Sequence, residues 1–362
     1  MSNTTRQANR PPTYSVSKLR TFHTCSMLYK YKYVDKIRDN SLSKATLVGS
    51  CLHQALEDNY LPYLNKANPP KLLPNNVILN AINTTLSEVF VHELKQQIAV
   101  VYDYYLAISN LYIRASADYA GPNPIRKGDG TVAQAPEMTG TWKKELAKLK
   151  LDNAQLDINS YIKSVDARWL NIDFFDLVLT VFKVGNKFQL DSRVKTILGV
   201  ELAFSPETNV ITTPNTGENG PILEAYIDLI AELEDGEIAV IDYNSGAQEY
   251  TEADIDFNSQ LLTYSYAYEQ LSGKQPKYIG IYNLRNNRLV LSTMQPVIRE
   301  QVIQQLTSAH NDIINSKFEK RLPNKDTANS CPCLDQFHKP CPFLSNCYPD
   351  LYEKLNNPLT NF

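Results

Sequence analysis

Apolar and polar positions alternate with two different periods along the chain, and the change of period divides it. Over residues 15–33, Leu19, Phe22, Leu28 and Tyr31 fall at helix-compatible spacings, and Ser15 or Ser17 is placed to cap the start. A second helical stretch covers about 46–60 and carries Gly49, His53, Leu56 and Glu57 before Pro62 limits it. Helical spacing returns over 77–117 with Phe90, Leu94, Ile98, Val101 and Tyr105, and again over 142–183. The Gly, Pro and polar residues of 121–140 predict a loop between the two. From residue 196 the period shortens: ILGVELAF, PILEAYIDLIAEL, EIAVIDY and YIGIYNL are β-rich runs separated by Pro, Gly and Asn. Helical stretches at 253–271 and 296–317 interleave with them, so the expected class is α/β or α+β, a sheet flanked by helices. The expected division is a leader at 1–13, N-terminal helices at 14–61, a helical insertion at 62–195, a strand-bearing core at 196–329 and a cysteine-rich segment at 330–362.

Composition narrows this little. In 362 residues, 43% hydrophobic and 21% charged content with 13 glycines describe a globular chain able to bury a core. A net charge of −3 excludes a broad polycation but leaves room for a local basic channel. No apolar run approaches the ~20 residues needed to cross a bilayer, and residues 1–12 lack the apolar stretch of a secretion signal. A cytoplasmic protein without a membrane partner is expected. Six cysteines in a reducing compartment are tested first against metal or cluster ligation.

Three acids stand out on neighbouring predicted strands: Glu201 ends one, Asp228 sits on the next, and Asp242 closes the third, before the turn Asn244-Ser245-Gly246. Taken singly, such aspartates are ordinarily exposed strand ends. These two follow the apolar runs ILEAYI and EIAVI, and a buried carboxylate requires a cation or hydrogen-bond partners. Convergent carboxylates suit a hard divalent cation, which polarises a phosphate, generates hydroxide from water and stabilises a leaving oxygen.

YIDLIAEL followed by IAVIDYNSG resembles the paired signature of PD-(D/E)XK nucleases of the RecB-like group, an aspartate on one strand and an acid-x-lysine triplet ending the next. His53 in VGSCLHQALE is similar to the family's metal-ligating histidine, Gln260 with Tyr264 in QLLTY to its Q-x-x-x-Y helix, and Glu201 in VELAF to its additional upstream acid. The motifs occur in family order and look like those of CRISPR-associated RecB-like exonucleases and AddB-type nuclease domains. The resemblance implies a central mixed sheet, with His53, Asp228, Asp242 and the Tyr243 carbonyl holding Mg²⁺ or Mn²⁺. It implies that Gln260 and Tyr264 line the active site and contact DNA, and that Glu201 binds a second-shell water or a second metal. The substrate implied is DNA, single strands or ends, with a helicase or recombination partner by analogy alone. One departure is sharp: Asn244 stands where the family has lysine. An amide cannot offset charge on the phosphorane, and losing such a group lowers a rate by roughly 10²-fold. A tolerated variant site, a noncatalytic DNA-end-binding subunit and a deliberate inactivating substitution all fit that residue.

TFHTCSMLYKYKY and the closing run CPFLSNC are similar to the segments through which RecB-like nucleases hold a [4Fe-4S] cluster, one N-terminal cysteine and three C-terminal ones. The implied ligands are Cys25, Cys341, Cys347 and Cys333, with Cys331 the near alternative to Cys333 because the usual spacing falls at His338. Four thiolates also suit tetrahedral Zn²⁺. Cys51, beside His53, is most simply a small buried residue. Lys30 and Lys32 among Tyr29, Tyr31 and Tyr33 could form a strand-binding surface or a solvated face over core tyrosines.

Overall fold

The computed structural model describes residues 12–37, 43–87, 98, 101–103, 106–107, 172–214, 221–320 and 341–356. The expected loop at 121–140, the helical stretch at 142–171, most of 88–117 and Cys331, Cys333 and His338 lie outside the described residues.

Five strands form the main sheet in the order β2-β5-β6-β7-β8: β2 Val194–Phe204, β5 Ala225–Leu233, β6 Ile238–Asn244, β7 Tyr278–Asn283 and β8 Arg288–Thr293. All neighbours are antiparallel except β6 and β7, which are parallel. A parallel pair needs a crossover, and helices α6 Glu252–Asp256 and α7 Ser259–Ser272 supply it. A small sheet, β1-β4-β3, joins Thr13–Tyr14 to Ile222–Leu223 and Ile211–Thr212.

The sheet divides two cores. On one side lie α3 Lys44–Tyr60, α4 Asn75–Ser87 and α5 Phe174–Gly185, packed on Leu229, Ala231, Ala239 and Ile241. On the other lie α1 Val16–Thr24, α7 and α8 Pro296–Ile314, packed on Ile230, Val240, Ile279 and Ile281. Alternate residues of β6 therefore serve opposite cores, as the two-residue period of a strand covered on both faces requires.

Local signals account for most helix ends. Ser15 Oγ accepts from the Lys18 N–H at 3.2 Å and opens α1, which buries Val16, Leu19 and Phe22. Ser43 Oγ accepts from Thr46 at 3.1 Å and opens α3 two residues before the predicted start. The single helix expected at 253–271 is two. Thr251 and Asp254 form a reciprocal cap on α6, and the Asn258 side chain accepts from Gln260 and Leu261 to start α7, which Gly273 ends at a φ of 69°. After Cys25 the chain continues as α2 Ser26–Tyr29 and a π-helical turn Lys30–Val34. Tyr29 is buried against Phe22 and Phe318, so the aromatic–basic run does not present all its rings to solvent. Among the described residues, no helix is long and apolar enough to cross a membrane.

Candidate active site

Register aligns the three acids. Val200 pairs with Leu229 and Leu202 with Ile227, so Glu201 falls opposite Asp228. Leu229 pairs with Ile241, and one further step sets Asp228 opposite Asp242. The β5–β6 ladder ends there. β6 continues beside β7 alone, and the Tyr243 N–H that would have faced β5 donates to Asp228 Oδ2 at 2.7 Å. A carboxylate thus occupies the gap where two strands separate.

Both helical layers reach this point. From α3, His53 Nδ1 lies 3.4 Å from Glu201 Oε1 and 3.7 Å from Asp228 Oδ2, its ring edge-on to Tyr243. Gly49, one turn earlier, lets α3 approach the strand end: a Cβ there would meet Ser245 Oγ at 3.0 Å. From α7, Gln260 Nε2 donates to Asp242 Oδ1 at 2.7 Å and to Tyr264 Oη at 3.1 Å. Glu201 is inside β2 and not at its end, with a φ of 44°, left-handed for a residue other than glycine. Such backbone costs about 1 kcal/mol or more and here occurs at the carboxylate turned to His53.

Electrostatics follow from crowding acids away from water. Burial pushes Asp228, 6% exposed, up to about 6, with the Glu201 charge adding to the rise and His53 and the Tyr243 N–H opposing it. Asp242 is held well above the usual carboxylate range by burial and then by Asp228. Burial works to lower His53, but the hydrogen bond with Glu201 and the charges of Asp228, Glu201 and Asp242 outweigh it, lifting the imidazole to about 9. Three acids and one imidazolium leave a deficit of positive charge. His53, Glu201 and Asp228 offer one nitrogen and two carboxylate oxygens all within 4.8 Å of one another, a donor set that suits a divalent cation of the Mg²⁺ or Mn²⁺ kind.

The Asn244 side chain is engaged by its own loop. Its Nδ2 donates to Tyr250 Oη at 2.6 Å and its Oδ1 accepts from the Gly246 N–H at 2.6 Å.

A match to the model of the PD-(D/E)XK nuclease superfamily runs from residue 13 to residue 348. The chain belongs to the PD-(D/E)XK nuclease superfamily. No curated protein matches it. Superfamily membership accounts for the mixed sheet flanked by helices, and it makes DNA the substrate class and a divalent metal the expected cofactor. Tyr250, whose hydroxyl accepts from Asn244, is a residue of this site that sequence patterns do not single out. No local pattern marks it, since only the folded loop brings its hydroxyl back to the end of β6.

Away from the acids, Cys25, Cys341 and Cys347 line one small cavity with Met27, Tyr31 and Phe343. Cys25 Sγ accepts from the Leu28 N–H at 3.4 Å, and Tyr31 Oη donates to the Asn346 carbonyl at 3.3 Å. The three sulfurs come from segments more than three hundred residues apart and are free of disulfides. Cys51 is fully buried in α3.

Proposed function

We propose that this PD-(D/E)XK protein is a RecB-like, metal-dependent DNA exonuclease or end-processing nuclease acting on single strands. The observation that carries the reading is the convergence of Glu201, Asp228 and Asp242 with His53 at the splayed ends of β5 and β6, within reach of Gln260. His53, Asp228, Asp242 and the Tyr243 carbonyl would hold Mg²⁺ or Mn²⁺, with Glu201 on a second-shell water or a second ion. A metal in that setting supplies Lewis acidity and an acidified water for phosphodiester hydrolysis. The protein's own part is positional: Gln260 fixes Asp242 and, with Tyr264, faces the DNA, while Asp228 caps the Tyr243 N–H and holds the strand end open.

A second reading rests on Asn244. A noncatalytic DNA-end-binding or assembly subunit would keep the acids and lack the lysine, and a helicase or recombination partner follows by family analogy. Digestion of 5′- and 3′-labelled single-stranded DNA with Mn²⁺, using this chain beside Asn244→Lys, separates the two. Cleavage by this chain supports the nuclease, and cleavage by the lysine form alone identifies an inactivated nuclease site. Binding without cleavage by either supports the second reading.

The cysteine cavity belongs to the same proposal: Cys25, Cys341 and Cys347 with Cys333, or Cys331 in its place, would bind a [4Fe-4S] cluster that pins α1 and α2 to the C-terminal segment, with Zn²⁺ as the alternative occupant. Anaerobic purification giving broad absorbance near ~400 nm with iron and sulfide, lost in Cys25→Ser, supports the cluster; a colourless protein containing zinc supports the alternative.

A further inference from the structure

A DNA strand brings negative charge to a site already crowded with Glu201, Asp228 and Asp242, in a chain of net charge −3, so its backbone must find cations on the rim. Several bases of the described residues are committed to acids. Lys18 pairs with Glu224 at 2.7 Å, Lys44 pairs with Asp176, and Arg193 pairs with Asp191 at 2.9 Å. Arg285 is different. It is exposed in the turn between β7 and β8, and among the described residues it forms no ion pair. Its position is nonetheless fixed from both sides. The Asn244 carbonyl, at the end of β6, accepts from the Leu284 N–H at 2.8 Å. Asn283, 4% exposed, accepts from the Arg285 N–H at 3.0 Å, and its amide holds the Gln248 carbonyl at 2.6 Å. The Arg285 side chain is then tied by one atom: Nε donates to the Ser245 carbonyl at 2.8 Å. Ser245 itself lies against α3 at Gly49, one turn before His53, where a Cβ would meet its Oγ at 3.0 Å. The guanidinium is thus held at the rim of the acidic site by Nε alone, and among the described residues its two terminal nitrogens have no partner.

We propose that Arg285 is a DNA-backbone contact: its Nη1 and Nη2 groups bind the phosphate next to the one under attack and seat the strand over the acids. This rests on the nuclease reading and deepens it. Asp242 and Ser245 are three residues apart on a chain rising about 3.3 Å per residue, which sets the guanidinium roughly 10 Å from the acids. That is too far for the phosphate being cleaved and suits a neighbour on the same strand. A guanidinium is permanently charged, and its planar fork matches two oxygens of one phosphate. An uncharged amide at the Nε position would tie the Ser245 carbonyl equally well, so the charge is the part of Arg285 that the fold itself does not use.

The test uses that separation on the full chain. Arg285→Gln puts an amide nitrogen where Nε was, keeping a donor for Ser245 while removing the charge; Arg285→Lys keeps the charge and loses the fork. Affinity for a labelled single-stranded oligonucleotide is measured by fluorescence anisotropy with Ca²⁺ across a salt series. Arg285→Gln is expected to weaken binding about tenfold, the scale of one hydrogen-bonded charge. One lost phosphate contact also lowers the slope of log affinity against log salt by about 0.7 for a single strand. Arg285→Lys regains part of the affinity. Lys274→Ala, an exposed charge beyond the far end of α7, controls for a general loss of positive charge. A neutral methylphosphonate linkage is then moved along the oligonucleotide. One linkage should weaken wild type and leave Arg285→Gln indifferent, a result that a merely structural tie would not give. With Mn²⁺, cleavage by Arg285→Gln should show the loss in KM and little change in kcat. Wild-type affinity and slope in Arg285→Gln, a loss equal to that of Lys274→Ala, or one methylphosphonate profile for both proteins overturns the contact while leaving the nuclease standing. If wild type neither binds nor cleaves, the nuclease reading falls and the contact falls with it.

Discussion

Neutralising Asp228 is expected to stabilise the metal-free protein while abolishing its response to metal. The carboxylate is 6% exposed, faces Glu201 and Asp242, and is lifted from 3.8 to about 6, chiefly by burial. About two pH units at 1.36 kcal/mol each correspond to about 3 kcal/mol by which the ionised group disfavours the fold at pH 7. The sign follows from proton counting. Between pH 3.8 and about 6 the folded state binds more protons than the unfolded chain, so stability falls as pH rises through that window and stays lower above it. Asp228→Asn keeps an oxygen for the Tyr243 N–H, which now donates at 2.7 Å, and removes the charge. With an unfolding entropy of roughly 2.1 cal/mol/K per residue spread over 362 residues, that difference raises the melting temperature in EDTA by roughly 2–4 °C. Mn²⁺ then closes most of the gap: at a hundred times its Kd it stabilises the wild type by about 2.7 kcal/mol and the variant by much less. Thermal unfolding at pH 7.5 with and without Mn²⁺ measures both effects. A variant that melts below wild type in EDTA, or that gains as much from Mn²⁺, refutes the reasoning.

Other consequences of the same geometry can be checked directly. Gln260→Ala removes the donor that holds Asp242 at 2.7 Å and is expected to weaken Mn²⁺ binding by about 10–100-fold, measured by calorimetry. His53, lifted to about 9 against the burial that lowers it, stabilises the metal-free fold fully below pH 6.5, and that contribution is lost as pH rises through about 9. To ligate metal it must lose its proton, and Asp242, held well above the usual carboxylate range, must be ionised too, so Mn²⁺ binding at pH 7.5 should release at least about one proton, read as heats that differ between buffers of unlike ionisation enthalpy, and affinity should tighten with pH. At Gly49 a methyl meets only the rotatable Ser245 Oγ at 3.0 Å and gains about 1 kcal/mol of helix propensity, so Gly49→Ala keeps activity. Gly49→Val forces α3 and His53 off the strand end and loses at least about tenfold in kcat/KM, since a small misplacement of a catalytic group is costly.

Much of this arrangement is legible in the chain because strands covered on both faces leave an unmistakable pattern. The runs before Asp228 and Asp242 are apolar at nearly every position, and the structure buries Ile227, Leu229, Ile230, Ala239, Val240 and Ile241 between two helical layers. An acid ending such a run is conspicuous. What periodicity could not supply is register: that Glu201 lies opposite Asp228 depends on the β2–β5 pairing, and its positive φ depends on the strain that the surrounding strands impose. The break between α6 and α7 was present as the Thr251–Asp254 cap and the following Asn258, but continuous helical spacing across 253–271 hid it. Tyr250 carries no signal of its own, since only the folded loop brings its hydroxyl to Asn244.

The side chain at 244 shows how a departure from a family pattern is absorbed. A lysine there carries donors and no acceptor, so it could not take the Gly246 N–H. Asn244 instead closes the turn on Gly246 and fastens Tyr250, while Asn283 Nδ2 holds the Gln248 carbonyl at 2.6 Å and Arg285 the Ser245 carbonyl at 2.8 Å. The loop after the strand is thus pinned at four points, two of them by Asn244. Asn244→Lys restores a charge but removes an acceptor and a donor, each contributing about 1 kcal/mol to local order. Its activity is therefore set by two opposed effects, the gained cation and the loosened Tyr250.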